Sequence, residues 1–479
     1  MRSRSNYKVN GSAVQEVLAD DQCKQVLSGA MKILKETGVA YQDEEAVEIL
    51  KEAGCYVENG RVYIPVKLVE KALRTVPSQV TLYNSRTKEA ELYLEGGNAY
   101  FGTGSEAPCF LDPYEEAIVD TTQETVEMAT KLADALPRID FVMSMGNIQD
   151  KSESVRDRYQ FLAQLANTSK PIVTTAVDKQ GCADIVEMSE TVAGGAEELK
   201  RRPFMALCVK PDSPLKPAAV DTEKLMYASE KSLPVTYTPY LSAGANVPAT
   251  LAGAVAVGLA EVLAALVLNQ QIEEGAPFIM GGYFTIVDTE NEICSDGAPE
   301  SSLMQAALSD IAHYLDIPMF GACGGTDSKT VDEQAAIEDA LSILTSAKSG
   351  ANLNHGIGSI EYGNATALEN LIICDEMIGF ARRSIKGIEV NDETLALDII
   401  HEVGPGGHFI TQQHTMDNFQ KETWYPDLFQ RKNYVDWEDE GKKTLTDRAH
   451  EKALDILESH EPDGLDDEMI EKLEAIVEE

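Results

Sequence analysis

Long apolar runs, paired cysteines, basic residues and clustered histidines are all scarce in this chain of 479 residues. No run of about 18 uninterrupted apolar residues occurs. The nearest approach, 249–268, is broken by Glu261 and diluted by Ala and Gly, so no membrane-spanning helix is expected. The opening MRSRSNYKVNGS carries arginines but no apolar stretch behind them, so no signal peptide is expected and the chain reads as cytoplasmic. The 8 cysteines are scattered without C-x-x-C spacing, which fits reduced, buried thiols.

Basic residues number 40 against 80 acidic ones, a net charge of −40. Nucleic acid would be repelled, which excludes it as a partner, whereas a cationic ligand or a partner with a basic face would be gathered. A solvated acidic surface explains the same excess without any ligand. About half of the last twenty residues are acidic, the composition of a solvated helical tail.

Residues 1–80 read as helical, with apolar residues at helical spacing over 14–18, 26–34 and 46–50 and a proline-led helix from Pro65. Segment 54–64 alternates like a short hairpin. From 80 to 120 short alternating strands are punctuated by glycines and Asp112-Pro113. The G-T-G-S-E stretch there is too loose for a phosphate loop and reads better as a plain hairpin turn.

After Asp120 an alternation sets in. Helices are expected over 122–136, 155–166, 182–193, 222–229, 248–271, 300–315, 331–349 and 366–380. Between them lie strands over 141–145, 171–176, 204–209, 235–240, 277–280 and 318–322, then the strand opening G-A-N-L-N-H-G-I-G-S-I-E-Y-G at 350–363. Five of these strands begin at or just after Pro171, Pro203, Pro234, Pro277 and Pro318, which stop the preceding helix. With a first strand inside 99–111, eight strands and eight helices span roughly 280 residues, the pattern of an α/β (β/α)8 TIM barrel. A doubly wound open sheet competes, but no G-x-G-x-x-G follows a strand. The expected domains are a helical extension (1–85), the barrel (86–385) and a C-terminal extension (386–479).

A barrel does its chemistry at the carboxyl ends of its strands. Those ends carry Asn147, Thr174, Thr175, Lys210, Asp212, Tyr240, Ser242, Tyr283, Phe284, Cys323, Asp327 and His355. His355, followed by glycines that let the backbone crowd a ligand, is the candidate catalytic residue; read alone it also fits a core imidazole. Lys210 is the one lysine placed for a Schiff base. No H-x-H or H-E-x-x-H marks a hydrolytic metal site in the barrel. Several aromatics with few charges suit a quaternary ammonium, which has no N–H to donate and is held by aromatic faces. Tyr100, Phe101, Tyr283, Phe284 and Tyr362 are the expected walls, with Glu106 nearby.

The segments Gly104-Ser-Glu-Ala-Pro, Gly321-Ala-Cys-Gly-Gly-Thr-Asp-Ser-Lys and Asp332-Glu-Gln-Ala-Ala resemble the trimethylamine methyltransferase (MttB) superfamily. So do Gly404-Pro-Gly-Gly-His-Phe, His414-Thr and Trp424-Tyr-Pro in the tail. That resemblance implies a TIM barrel that moves a methyl group from a methylamine to the Co(I) of a corrinoid (cobalamin) carried by a separate protein. The founding enzyme carries pyrrolysine, and every letter here is a standard residue, as in the branch acting on glycine betaine, proline betaine or carnitine. For such a substrate the resemblance places His355 at the carboxylate, as a cation or N–H donor. It implies a cognate corrinoid protein as partner, a homo-oligomer and no tightly bound metal.

Other readings stay open. A zinc-dependent corrinoid methyltransferase or barrel lyase would use Cys323, Cys374, Glu361 or His355 as ligands, and a betaine-binding protein would turn nothing over. Asp327 and Lys329 order a loop or merely precede a helix, and His408 and His414 sit in an extension read as a strap.

Overall fold

The computed structural model describes residues 15–104, 106–115 and 117–478. The opening segment read for a signal peptide, Val14, and Ser105 of the G-S-E-A-P motif lie outside them.

The strands β1 (Tyr100–Thr103), β2 (141–142), β3 (Ile172–Thr174), β4 (Met205–Val209), β5 (Val235–Tyr237), β6 (Phe278–Gly281), β7 (Met319–Ala322) and β8 (Leu353–Ile357) run parallel. All but β2 form one continuous sheet in which β8 lies beside β1. The segment β2 joins its edges through two parallel bridges, Gly102 to Phe141 and Val142 to Ile172. The sheet therefore closes, and the expected TIM barrel forms.

Each strand is followed by a helix on the outside: α1 (Gln123–Ala135), α2 (Arg156–Asn167), α3 (Lys179–Ala193), α4 (Ala219–Glu230), α5 (Leu251–Ile272), α6 (Pro299–Leu315), α7 (Glu333–Ser349) and α8 (Leu368–Lys386). Thr122 starts α1 by exchange: its hydroxyl accepts from the Thr125 N–H at 3.3 Å while the Thr125 hydroxyl accepts from the Thr122 N–H at 2.9 Å. Strands β3 to β7 each begin one or two residues beyond a proline, which cannot donate to a preceding helix.

Helix α5 is long and apolar enough to cross a membrane by length and composition. It is buried on nearly every side because the helices Asp20–Glu36, Glu44–Glu52 and Val66–Thr75 pack outside it and β6 lies inside. A helix apolar all round needs that double cover. Residues 15–18, expected as part of a helix, are not helical; Asp310 on α6 holds them instead, accepting from the Val17 and Leu18 N–H groups at 2.8 Å each.

A hairpin of Val80–Tyr83 and Ala90–Leu94 closes the lower end of the barrel, its Leu82 and Leu92 packed with Phe141, Phe320 and Leu353 in the interior. Over the upper end lies a small sheet of Tyr240–Ala243, Tyr283–Asp288 and Ile293–Ser295. The acidic tail read as solvated instead docks: helix Asp467–Glu478 lies on α2 and α3 with Leu473 and Val477, one helical turn apart, buried.

Candidate active site

At the mouth, β1 ends in Gly104 and places Glu106 in the left-handed region at φ 55°, unusual for a residue with a Cβ. Its carboxylate reaches Lys210, just beyond β4, at 2.6 Å. Gln160 donates to it at 3.1 Å, and the Thr175 hydroxyl makes a further short contact. Burial opposes ionisation of Glu106, but the Lys210 ammonium and these donors outweigh it and hold the carboxyl below its ordinary range. Lys210 keeps 39% of its side chain exposed to the mouth.

Across the mouth, the paired strands Tyr240–Ala243 and Tyr283–Asp288 set Tyr240 opposite Tyr283. Their rings stack at 5.5 Å with an interplanar angle of 17°, and Tyr283 lies 5.9 Å from the His355 ring. The Tyr283 hydroxyl donates to Asp296 at 2.8 Å. Burial, and then the neighbouring Asp327 carboxylate, push Asp296 up to about 6 against the pull of that hydroxyl. Asp327 orients the same residue by accepting its backbone N–H at 2.9 Å.

His355 is 3% exposed, with the edge of Phe320 at 4.4 Å. Burial, reinforced by the Lys210 ammonium, pushes it down to about 3, so the ring is neutral at physiological pH. Its Nδ1 has no hydrogen-bond partner. Gly356 follows at φ 106°, and a Cβ there would stand 2.8 Å from the Cys323 carbonyl oxygen. Glu361 and Tyr362 are both left-handed, at φ 52° and 45°, pinned by backbone bonds to Ser328 and Thr326. Consecutive strained residues of this kind collect where a site must be shaped. A cavity of about 200 Å³ lies among Lys210, Thr238, Tyr240, Tyr283, Asp296, His355, Tyr362 and Gly363.

Of the residues expected at the site, His355, Tyr283 and Tyr362 line this cavity, and Glu106 reaches it through Lys210. Tyr100 and Phe101 do not. Tyr100 starts β1 at the lower end, where its hydroxyl accepts from the Tyr93 N–H at 3.1 Å, and Phe101 faces outward into the core beneath α1 and α8. Neighbouring strand residues point to opposite faces, so the two could not share one wall. Phe284 likewise turns away from Tyr283 into the core against α5. Asp296 gave no signal in the sequence, since it lies in a hairpin beyond β6. Lys210, Thr175 and Tyr240 were visible as strand-end residues, though not as partners.

Among the described residues no three His, Cys, Asp or Glu side chains gather as a metal-ion site. Of the ligands named for zinc, Cys374 donates to the buried Asp339 at 3.5 Å, and burial raises both the Cys323 and Cys374 thiols. His408 and His414 lie in the extension beyond α8, remote from this cavity in the chain and absent from its lining.

Residues 2–479 match the trimethylamine methyltransferase (MTTB) family. The chain belongs to that family. It is 32% identical over 463 residues to a glycine betaine methyltransferase of Desulfitobacterium hafniense strain Y51, covering 96% of each chain. It is equally 32% identical over 463 residues to the trimethylamine methyltransferase MttB of strain DSM 10664 / DCB-2, covering 96% of this chain and 93% of that one. For the MttB of Methanosarcina barkeri strain Fusaro the identity is 30% over 466 residues, with 95% and 93% covered. A solved hydroxylamine complex of MtmB aligns with a TM-score of 0.50 at 15% identity over 93% of this chain and 95% of that one, a likeness of fold. The family makes the chain a methyltransferase.

Proposed function

We propose that this methyltransferase takes a methyl group from a betaine, glycine betaine first, and delivers it to a corrinoid carried by a partner protein. The observation that carries this reading is the pairing of an aromatic and acidic wall (Tyr240, Tyr283, Asp296) with a cationic one (Lys210) around one cavity of about 200 Å³. A quaternary ammonium sits against tyrosine faces and a carboxylate. A carboxylate arm takes the Lys210 ammonium and the neutral His355 N–H, since the depressed ionisation of His355 disfavours the cationic form expected for it. The 32% identity to a glycine betaine methyltransferase supports a methylated amine as substrate, and the equal identity to a trimethylamine methyltransferase leaves the choice between them to the chemistry of the cavity.

The corrinoid supplies the cobalt(I) nucleophile, and the protein supplies position and field. The bound cation loses its charge as the methyl group leaves, so a counter-charge that is too strong would favour the ground state. Asp296 meets that limit because part of its charge is already engaged by the Tyr283 hydroxyl. The stacked rings of Tyr240 and Tyr283 hold the methyl groups without a localised charge.

Titration calorimetry of glycine betaine, choline and trimethylammonium tests the zwitterion site. Glycine betaine should bind tightest, and Lys210→Met should bring it down to the level of choline. Equal affinity for choline and glycine betaine in the wild type would sink the reading.

A further inference from the structure

A second, smaller cavity lies behind the wall of the substrate cavity, and Tyr283 and Asp296 line both spaces. It measures about 30 Å³ and is lined also by Ser301, Ser302, Gln305 and Ser359. Ser301 and Gln305 share a face of α6 because they stand four residues apart. The volume exceeds the ~10–15 Å³ that one water needs, and these side chains give a water its polar partners.

Gln305 shows what the cavity takes. The residue is 7% exposed, and its amide nitrogen donates to the Gly282 carbonyl at 2.7 Å. Its Oε1 is buried and has no hydrogen-bond partner among the described residues. The Ser301 hydroxyl does not serve it, since that group donates to the Ser295 carbonyl at 3.1 Å. A buried acceptor without a donor is costly, and a water that donates to it removes the cost. Ser302 is only half-buried and gives the cavity an edge on solvent.

The chemistry of the proposed function calls for a proton at this wall. The substrate nitrogen enters as a quaternary cation with no N–H. When its bond to the methyl carbon breaks, the bonding pair stays on nitrogen and a tertiary amine is left. The conjugate acid of such an amine titrates at about 10, as an alkylammonium does, so at neutral pH the product gains one proton. On that reading the methyl acceptor stands at the mouth and keeps bulk water from the amine. Asp296 loses its cationic partner in the same step while the Asp327 carboxylate stays beside it, so its affinity for a proton rises.

Resting on that methyl transfer, we propose that a water in the rear cavity carries a proton from solvent to Asp296, which hands it to the tertiary amine. One proton is taken up per turnover, and Asp296 ends ionised as it began. The product then stands as an ammonium ion against a carboxylate, and no electrons move in this step.

Gln305→Met keeps the side-chain volume and removes the acceptor that holds the water. Rapid mixing of enzyme, glycine betaine and excess Co(I) cobalamin separates the first methyl transfer, a burst of methylcobalamin, from later turnover. In the variant, turnover should fall about 10- to 100-fold and slow by about 2-fold more in D2O, the cost of a lost proton donor. Its burst rate and its calorimetric affinity for glycine betaine should match the wild type. Ser302→Val, at the solvent edge, should give the same split. A crystal structure of the wild type should show a water within about 3.2 Å of Gln305 Oε1. Wild-type turnover in both variants, or a dry rear cavity, would overturn the proposal. So would a burst that slows in step with turnover, the mark of a purely structural role. A wild type with no burst from glycine betaine would defeat the betaine reading itself, and this proposal with it.

Discussion

Asp296 stands among tyrosines at about 6, where a small change in its surroundings moves it across neutrality. A cation needs the ionised form, so kcat/KM for the betaine should rise with pH on a limb near 6 and level off above it. Tyr283→Phe removes a bond that favours ionisation, so the limb should move up, by about one unit if the bond is worth ~1.4 kcal/mol. Asp296→Asn should abolish the limb and raise KM roughly 10- to 100-fold, the cost of one charge partner in a desolvated site. A pH–rate profile of each variant decides, and an unmoved limb in Tyr283→Phe would remove Asp296 from the cation site. Much of this was legible one residue at a time and not as pairs. His355 and Tyr283 stood out at strand ends, whereas the bond from Tyr283 to Asp296 joins a strand to a hairpin 13 positions away that no spacing rule registers.

At the scale of the element, two local devices set the mouth. Gly356 lets β8 turn where a Cβ would meet the Cys323 carbonyl, so Gly356→Ala should cost about 2 kcal/mol or more in denaturant unfolding. A change under half of that would mean the loop relaxes. Thr122→Ala should cost ~1 kcal/mol through the loss of the reciprocal cap on α1, with no effect on KM. The alternation of strand and helix was readable because prolines and caps are local signals. The misplacement of Tyr100, Phe101 and Phe284 came from counting aromatics near strand ends without applying the two-residue alternation that sends neighbours to opposite faces. The acidic terminal helix was misjudged for a similar reason: its composition hides Leu473 and Val477, which share one face.

For the whole molecule, the acidic balance meets a core that also buries acids without basic partners. Burial pushes Glu261 and Asp339 up to about 7. Both keep protons in the fold that the unfolded chain has lost, so their contribution to stability is full below about pH 4 and is lost as pH rises through about 7. Denaturation midpoints should therefore fall between pH 5 and pH 8, and Asp339→Asn should shrink that fall. An unchanged difference would place the pH dependence in surface repulsion instead. Barrel closure was legible because eight tidy units favour a ring, while the covering of α5 by the amino-terminal helices was not, since nothing local says which helix a distant one will bury.

On the proposed function, a zwitterionic quaternary amine held at the mouth gives up its methyl group to cobalt(I). The most direct measurement is the visible spectrum of Co(I) cobalamin incubated with the enzyme and, in turn, glycine betaine, choline and trimethylamine. Methylcobalamin should form with glycine betaine and not with trimethylamine, and the rate should collapse in Asp296→Asn. Turnover of trimethylamine with none of glycine betaine would contradict the account.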